Sequence, residues 1–500
     1  MKSPATPSRT LGFVTLFLIE MWERFGYYGM TAVVVLFMVQ QLGYADDRAN
    51  LTFGAFSAMA YAIPALGGWI GDRVLGSRRT ALLGAVMLAV GYAMLAIPNP
   101  ALLFAALGVV AVGGGIFKAN PANLISKLYE GDTAKIDSAF TMYYMAVNVG
   151  ATLSQIATPL IAVWLGWHVA FAVCAGGLVV GIVNYFLMRR YLAHVGSEPD
   201  FRPFPWLRMV LVVAGALVAM ALVTAIIQNL SVARAVVLIT SLALLAIFAI
   251  LLWKGNRQER RGLWAVLVLT AETILFFIFY QQMPTSLTLF ALRNVDLNIS
   301  FLDLHYAVPA GQVQALNPIW IFILSPFLAW FYHRMSQGRG DFHIASKFAF
   351  GFAVLSLGFF TYGMSGLFAV DGKVAFGWMV AGYGLQSLGE LLISGLGLAM
   401  VARYVGPKLR GFIMGAWFLA TGISQYLGGF VANYAGVPQG VTDPLKTLPL
   451  YTHLFNSLGV VAAVGTLLAA AIVPLMKRLS VSEDKMHLPP GTPKTLRDEQ

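Results

Sequence analysis

The chain has 500 residues, 58% of them hydrophobic and only 11% charged, with a mean hydropathy of +0.74. Soluble domains carry about 25% charged residues, so composition excludes a water-soluble enzyme or binding module and marks a polytopic membrane protein. A formal net charge of +11 would suit a nucleic-acid binder only if the basic residues formed a soluble patch, and they are spread along the chain.

Cys174 is the single cysteine and lies in an apolar stretch, so neither a disulfide framework nor a Cys-rich metal site is available. The seven histidines lack metal-ligand spacing and none precedes His168. No metal and no cofactor is expected. Met1 to Thr10 is short and polar, and the apolar run after it is too long and too charged for a cleaved leader, so it reads as a first helix.

Hydropathy marks fourteen spans, at about 11–42, 50–71, 79–98, 101–127, 137–164, 167–190, 207–228, 234–253, 262–291, 308–332, 344–368, 373–404, 410–436 and 447–476. With the N-terminus inside, 26 of the 33 Lys and Arg fall on the inner side. Five (Arg48, Arg234, Arg293, Lys373, Lys446) fall outside, and Arg24 and Lys118 stay within the membrane. This asymmetry fits two cytoplasmic termini and explains the basic balance by loops held near an anionic leaflet.

The first span holds Glu20, Glu23 and Arg24. At about 100° per residue, Glu20, Glu23, Arg24, Tyr27, Tyr28 and Thr31 fall within roughly 140° of one helical face. A charge at the bilayer centre costs at least about 2.5–3.5 kcal/mol, so three on one face line a cavity or pair with each other. A salt bridge that only fixes helix packing is the plainer alternative. Span two ends in Gly68-Trp69-Ile70-Gly71-Asp72-Arg73-Val74-Leu75-Gly76-Ser77-Arg78-Arg79, like the loop signature of major facilitators. Its glycines permit close helix approach, and its charges suit breakable contacts between helix ends.

Span four carries Gly113-Gly114-Gly115-Ile116-Phe117-Lys118, whose lysine needs a partner at depth; Glu20 or Glu23 is the expected one. Span five places Tyr144 and Asn148 on one face, and span two contributes Tyr61, although a buried Asn or Tyr often only packs or bonds a neighbouring helix. Spans seven and eight carry almost no polar residues and read as a peripheral insertion.

In span nine, Pro284 removes a helical hydrogen bond, and Glu272 either faces a water-filled vestibule or titrates as a second group. Span ten holds Gln314 and Asn317-Pro318. Span twelve groups Gln386, Ser387, Glu390 and Ser394 on one face, and span thirteen groups Trp417 and Thr421. The expected fold is thus an all-α polytopic membrane protein with the major facilitator architecture: two six-helix bundles plus two extra helices, and both termini cytoplasmic. Its parts are an N-terminal bundle (10–190), an insertion (205–255), a C-terminal bundle (262–478) and a tail (479–500).

Glu20, Glu23, Arg24 and Lys118 sum to zero charge when ionised, and two close carboxylates resist carrying both charges, so a proton on one leaves the first half positive. Glu390 makes the second half negative. Such a cavity suits a dipolar ligand with carboxylate and ammonium ends, and links proton binding to ligand binding.

Glu20-x-x-Glu23-Arg24 with Tyr27-Tyr28-Gly29, Lys118 in its glycine-rich helix, Tyr143-Tyr144-x-x-x-Asn148, Gln314-x-x-Asn317-Pro318 and Gly389-Glu390 resemble the proton-dependent oligopeptide transporters. The resemblance spans about residues 11–478. It implies proton-coupled symport of di- and tripeptides through an inner membrane, by a monomer without nucleic acid. It further implies that Glu20 and Glu23 handle the proton, that Arg24 and Lys118 pair with them and receive the peptide carboxylate, and that Glu390 receives the amine. Tyr27, Tyr28, Tyr61, Asn148, Asn317, Ser394 and Trp417 would complete the site.

Thr31 stands where many relatives carry Arg and Gln281 where many carry an acid, so a pair that bridges the halves is neutral here. Gly395 replaces a frequent Pro, and no histidine of the animal type lies in spans one and two. A family member carrying an anion such as nitrate is the alternative, against which Glu390 argues. A membrane-embedded enzyme lacks a nucleophile–base pair or phosphate loop, and a channel lacks a continuous polar pore.

Overall fold

The computed structural model describes residues 8–301, 304–339, 344–393 and 407–484. Helices dominate: α1 Arg9–Leu36, α2 Asp46–Ala62, α3 Pro64–Trp69, α4 Ser77–Ala96, α5 Leu103–Lys118, α6 Asn120–Leu128, α7 Thr133–Leu165, α8 Trp167–Met188 and α9 Trp206–Gln228. They continue as α10 Leu230–Lys254, α11 Arg257–Tyr280, α12 Thr288–Asn294, α13 Leu316–Arg339, α14 Ile344–Met364, α15 Phe376–Ile393, α16 Pro407–Ala432 and α17 Pro444–Asp484. Eleven helical stretches among the described residues are long and apolar enough to cross a membrane.

In a bilayer, lipid is as apolar as leucine, so small residues let helices associate. Gly29 of α1 would place a Cβ 2.6 Å from Thr158 Oγ1, and Gly177 of α8 would place one 2.8 Å from Phe25. Only glycine fits there, and α1 is thereby pressed between α7 and α8. That seating buries Glu20, Glu23 and Arg24. Gly67 of α3 likewise meets the backbone of Gly115 and Ile116 in α5, which accounts for the glycine run beside Lys118 by packing.

Three of the helix breaks fall at prolines. Pro64 restarts the helix after Ile63, Asn120-Pro121 opens α6 just after Lys118, and Pro284 sits in a π-helical turn, Met283–Leu287. A proline lacks the N–H of the ladder and crowds the preceding turn, so each break re-aims the side chains before it.

Within the first group, α1 packs on α7 and α8, and α4 packs on α5 and α8; within the second, α14 packs on α15 and α17, and α13 on α15. The groups meet chiefly where α2 lies along α16. There a Cβ added at Gly54 would lie 3.3 Å from the Gln425 carbonyl oxygen, and one at Gly429 2.5 Å from that of Asn50. Helices α9 and α10 lie outside, with Leu211, Leu217, Leu238 and Leu245 exposed.

The chain is mostly helical, as expected of an all-α fold, and two short ribbons join its connections. Strand β1 (Val295–Asp296) pairs in parallel with β4 (Val374–Ala375), and β2 (Asn298–Phe301) pairs antiparallel with β3 (Leu304–Ala307). Both ribbons lie in connections beyond the spans, where short stretches with Val and Ile satisfy backbone groups across chains that no helix reaches.

Candidate functional site

One side of the site is built on α1. Arg24 Nε donates to Glu20 Oε1 at 2.8 Å and makes an ion pair with Glu23 Oε2 at 3.0 Å, and all three residues are buried. A single guanidinium thus pairs with two carboxylates inside the protein, and Glu20 Oε2 has no hydrogen-bond partner among the described residues. Lys118 departs from expectation. Its Nζ lies 4.0 Å from the centroid of the Tyr61 ring, and it makes no ion pair among the described residues. Arg24 already occupies both glutamates, and the negative face of an aromatic ring is the remaining attraction for an ammonium there.

The other side is built on α13 and α15. Asn317 Nδ2 donates to Glu390 Oε2 at 2.7 Å and to Ser387 Oγ at 3.0 Å. Gln386, which the helical wheel grouped with these residues, turns away: it accepts from Tyr362 Oη at 3.2 Å and donates to the Phe279 carbonyl at 3.2 Å. Ser394 and Gly395 lie outside the described residues.

Between the two sides is a cavity. Tyr27, Tyr28, Tyr61, Tyr280 and Asn317 border it, and so do Thr31, Ser57, Gln155, Gln281 and Gln425. Tyr27 and Tyr28 stand with ring centroids 5.5 Å apart, and Tyr61 meets Phe277 at 5.9 Å. Arg24 adjoins the cavity one helical turn from Tyr27 and Tyr28, Lys118 through Tyr61, and Glu390 through Asn317. Thr31 and Gln281 come to the same cavity from opposite groups. Gln281 Nε2 reaches Ser57 Oγ at 3.4 Å.

Two predicted residues sit differently. Asn148 donates to the Tyr144 carbonyl of its own helix at 2.9 Å. Trp417 is partly buried, its indole N–H without a partner among the described residues, and its carbonyl accepts from Thr421 Oγ1 at 3.0 Å. Glu272 is partly buried in α11, with Oε2 also unpartnered among the described residues.

The pole away from the chain ends is sealed by contacts that sequence reasoning missed. Arg293 donates to both oxygens of Asp46, at 2.5 and 2.8 Å, and to Tyr451 Oη at 2.6 Å. Asn50 bonds Asn433 at 3.0 Å, and Gln312 Nε2 reaches the Ile156 carbonyl at 2.6 Å. At the opposite pole, Asp72 accepts from Asn123 at 2.6 Å and Ser197 at 3.0 Å, with Lys127 3.8 Å away. Arg78 and Arg79 donate to the carbonyls of Leu192, Pro199, Asp200 and Arg202, clamping the connection to α9.

The POT family profile matches residues 78–448. The chain belongs to the POT family. It is 43% identical over 471 residues to dipeptide and tripeptide permease A of Escherichia coli, covering 94% of this chain and 93% of that one. The permease of the same name from Salmonella typhimurium is 42% identical over 475 residues, with the same coverage of each. Among solved structures, a crystal structure of tetrameric PepTSo2 is 52% identical with a TM-score of 0.87, over 94% of this chain and 99% of that one. A POT family member is a transporter and not an enzyme, and the fold and the cavity are to be read as those of a carrier.

Proposed function

We propose that the protein is a proton-coupled symporter that carries di- and tripeptides into the cell across the inner membrane by alternating access. The observation that carries this reading is the opposition of charges across one cavity. The Glu20–Glu23–Arg24 cluster and Lys118 lie on one side and Glu390 on the other, with Tyr27, Tyr28, Tyr61 and Asn317 between. A peptide's carboxylate would meet Arg24 and Lys118, and its amine would meet Glu390. Asn148, Ser394 and Trp417 would complete the contacts once the groups rock together.

Proton uptake by Glu20 or Glu23 frees part of Arg24's positive charge for the substrate, which couples the two ligands. The named permeases support a peptide, and Glu390 has no use for nitrate, so the simple-anion alternative falls away.

The topology belongs to the same reading: fourteen spans with both termini cytoplasmic, bundles at 10–190 and 262–478, an insertion at 205–255 and a tail from 479. Three spans join the eleven apolar ones: the charged α1, the helix beginning at Phe376, and α16. The contacts of Asp46, Asn50 and Gln312 then close the outer side. A monomer as the transport unit belongs to the same reading.

The test is competition by zwitterionic and N-acetylated dialanine in wild type and Glu390→Gln. The variant should lose at least tenfold in affinity for the zwitterion and little for the acetylated peptide. Equal losses would contradict the assignment.

A further inference from the structure

The cavity has two ends of different chemistry. The charged groups of the proposed site lie toward the pole where α1 begins, whereas toward the other pole the helices line the cavity with amides and hydroxyls. Thr31 stands seven residues beyond Arg24 on α1, Gln155 seven beyond Asn148 on α7, and Gln425 eight beyond Trp417 on α16. At 1.5 Å per residue this sets Thr31 roughly 10 Å along α1 from Arg24, and Gln155 and Gln425 roughly 10–12 Å along their helices from Asn148 and Trp417. No ionisable carboxylate, lysine or arginine borders the cavity among the described residues.

Two of these amides each have an unused polar atom. Gln155 and Gln425 are 5% and 1% exposed, and Gln155 Oε1 and Gln425 Nε2 have no hydrogen-bond partner among the described residues. Their neighbours are committed: Gln281 to Ser57, and Gln314 to Thr288 Oγ1 at 3.0 Å. A buried amide left unpaired costs about 1–3 kcal/mol, so its retention at a cavity wall calls for a ligand that pairs it. One unused atom is an acceptor from the first helix group and the other a donor from the second.

We infer that Gln155 and Gln425 form a neutral subsite that receives an uncharged, hydrogen-bonding side chain of the transported peptide, such as a carboxamide, and discriminates against its ionised isosteres. A carboxamide offers one donor and one acceptor and complements this pair. A carboxylate or an ammonium placed there is desolvated without a counter-charge, because Thr31 and Gln281 are both neutral. The inference rests on the peptide reading above and adds specificity to it.

The experiment uses the full chain in proteoliposomes. Labelled dialanine uptake under an inward proton gradient is competed by Ala-Gln and Gln-Ala against Ala-Glu and Glu-Ala, which match in shape and differ in charge. In at least one position the carboxamide peptide should compete tenfold better or more. Gln155→Leu and Gln425→Leu should each shrink the preference for Ala-Gln over Ala-Leu about three- to tenfold. Gln425→Glu should supply a counter-charge for an ammonium, so that Ala-Lys, a weaker competitor than Ala-Gln in wild type, becomes the stronger one. If charged and uncharged isosteres compete equally in both positions, or if the preference is unmoved in these variants, the subsite is overturned while dialanine uptake still supports the carrier. Absence of dialanine uptake in wild type would overturn both readings.

Discussion

Arg293 of α12 grips both carboxylate oxygens of Asp46 at the start of α2, and so ties the two helix groups together at the pole away from the chain ends. The pair is little exposed, at 9% and 13% for the two side chains, and Tyr451 completes the arginine's contacts. Its value lies between that of exposed pairs, up to about 1 kcal/mol, and of buried ones broken on one side, about 3–5 kcal/mol.

Arg293→Gln should therefore loosen that seal. A cysteine placed at Ser57, on the cavity wall, should react about tenfold faster with a membrane-impermeant thiol reagent in the Arg293→Gln background, a shift of about 1.4 kcal/mol. The single native thiol, Cys174, is buried and serves as the unreactive control. An unchanged rate would remove the pair from any gating role.

Arg24 alone forms ion pairs with two buried carboxylates. Arg24→Gln should lower stability by about 3–5 kcal/mol, read as a fall in thermal melting, because it leaves two uncompensated charges. Adding Glu20→Gln should cost less than the sum of the single losses, since the second change removes one of the orphaned charges. Strict additivity would mean that the residues act independently.

Helix α3 touches α5 at Gly67, where a Cβ would run into the Gly115 carbonyl and come within 2.8 Å of Ile116 Cα. Gly67→Ala should cost about 1–3 kcal/mol of overpacking strain. Gly215→Ala, on the exposed helix α9 with open space around it, should leave melting unchanged or raise it slightly. Equal behaviour of the two variants would contradict the packing account.

Arg78 donates to Leu192 at 2.9 Å, Ala193 at 3.0 Å and the Asp200 carbonyl at 3.1 Å, and Gly76, at φ +98°, brings the loop against Asp200. Arg78→Gln should release this clamp, so amide hydrogen exchange across residues 190–202 should accelerate about tenfold or more while α1 stays protected. Unchanged protection there would show that the clamp holds nothing.

Much of this was legible in the sequence. Three charges on one face of α1 had nowhere to go but inward, and burial of Glu20, Glu23 and Arg24 follows from that cost. Asn317 and Glu390 were each recognisable, and they meet directly. The partner of Lys118 was not legible: charge arithmetic favours a carboxylate, while three-dimensional packing leaves Tyr61 nearest. A helical wheel joined Gln386 to Glu390, yet a wheel gives direction without a neighbour, and Tyr362 claimed the amide. Arg293 and Asp46 are 247 positions apart and in loops by hydropathy, so nothing local could pair them. Gln155 and Gln425 escaped because an isolated Gln in a span carries no pattern of its own.

The most direct measurement is uptake of labelled dialanine into proteoliposomes, with and without an inward proton gradient, for wild type and Glu20→Gln. The predicted result is gradient-driven accumulation in wild type that falls at least tenfold in the variant, while peptide exchange across the membrane persists. Wild-type vesicles that carry no dialanine under any gradient, or a variant that accumulates it as well as wild type, would contradict the account.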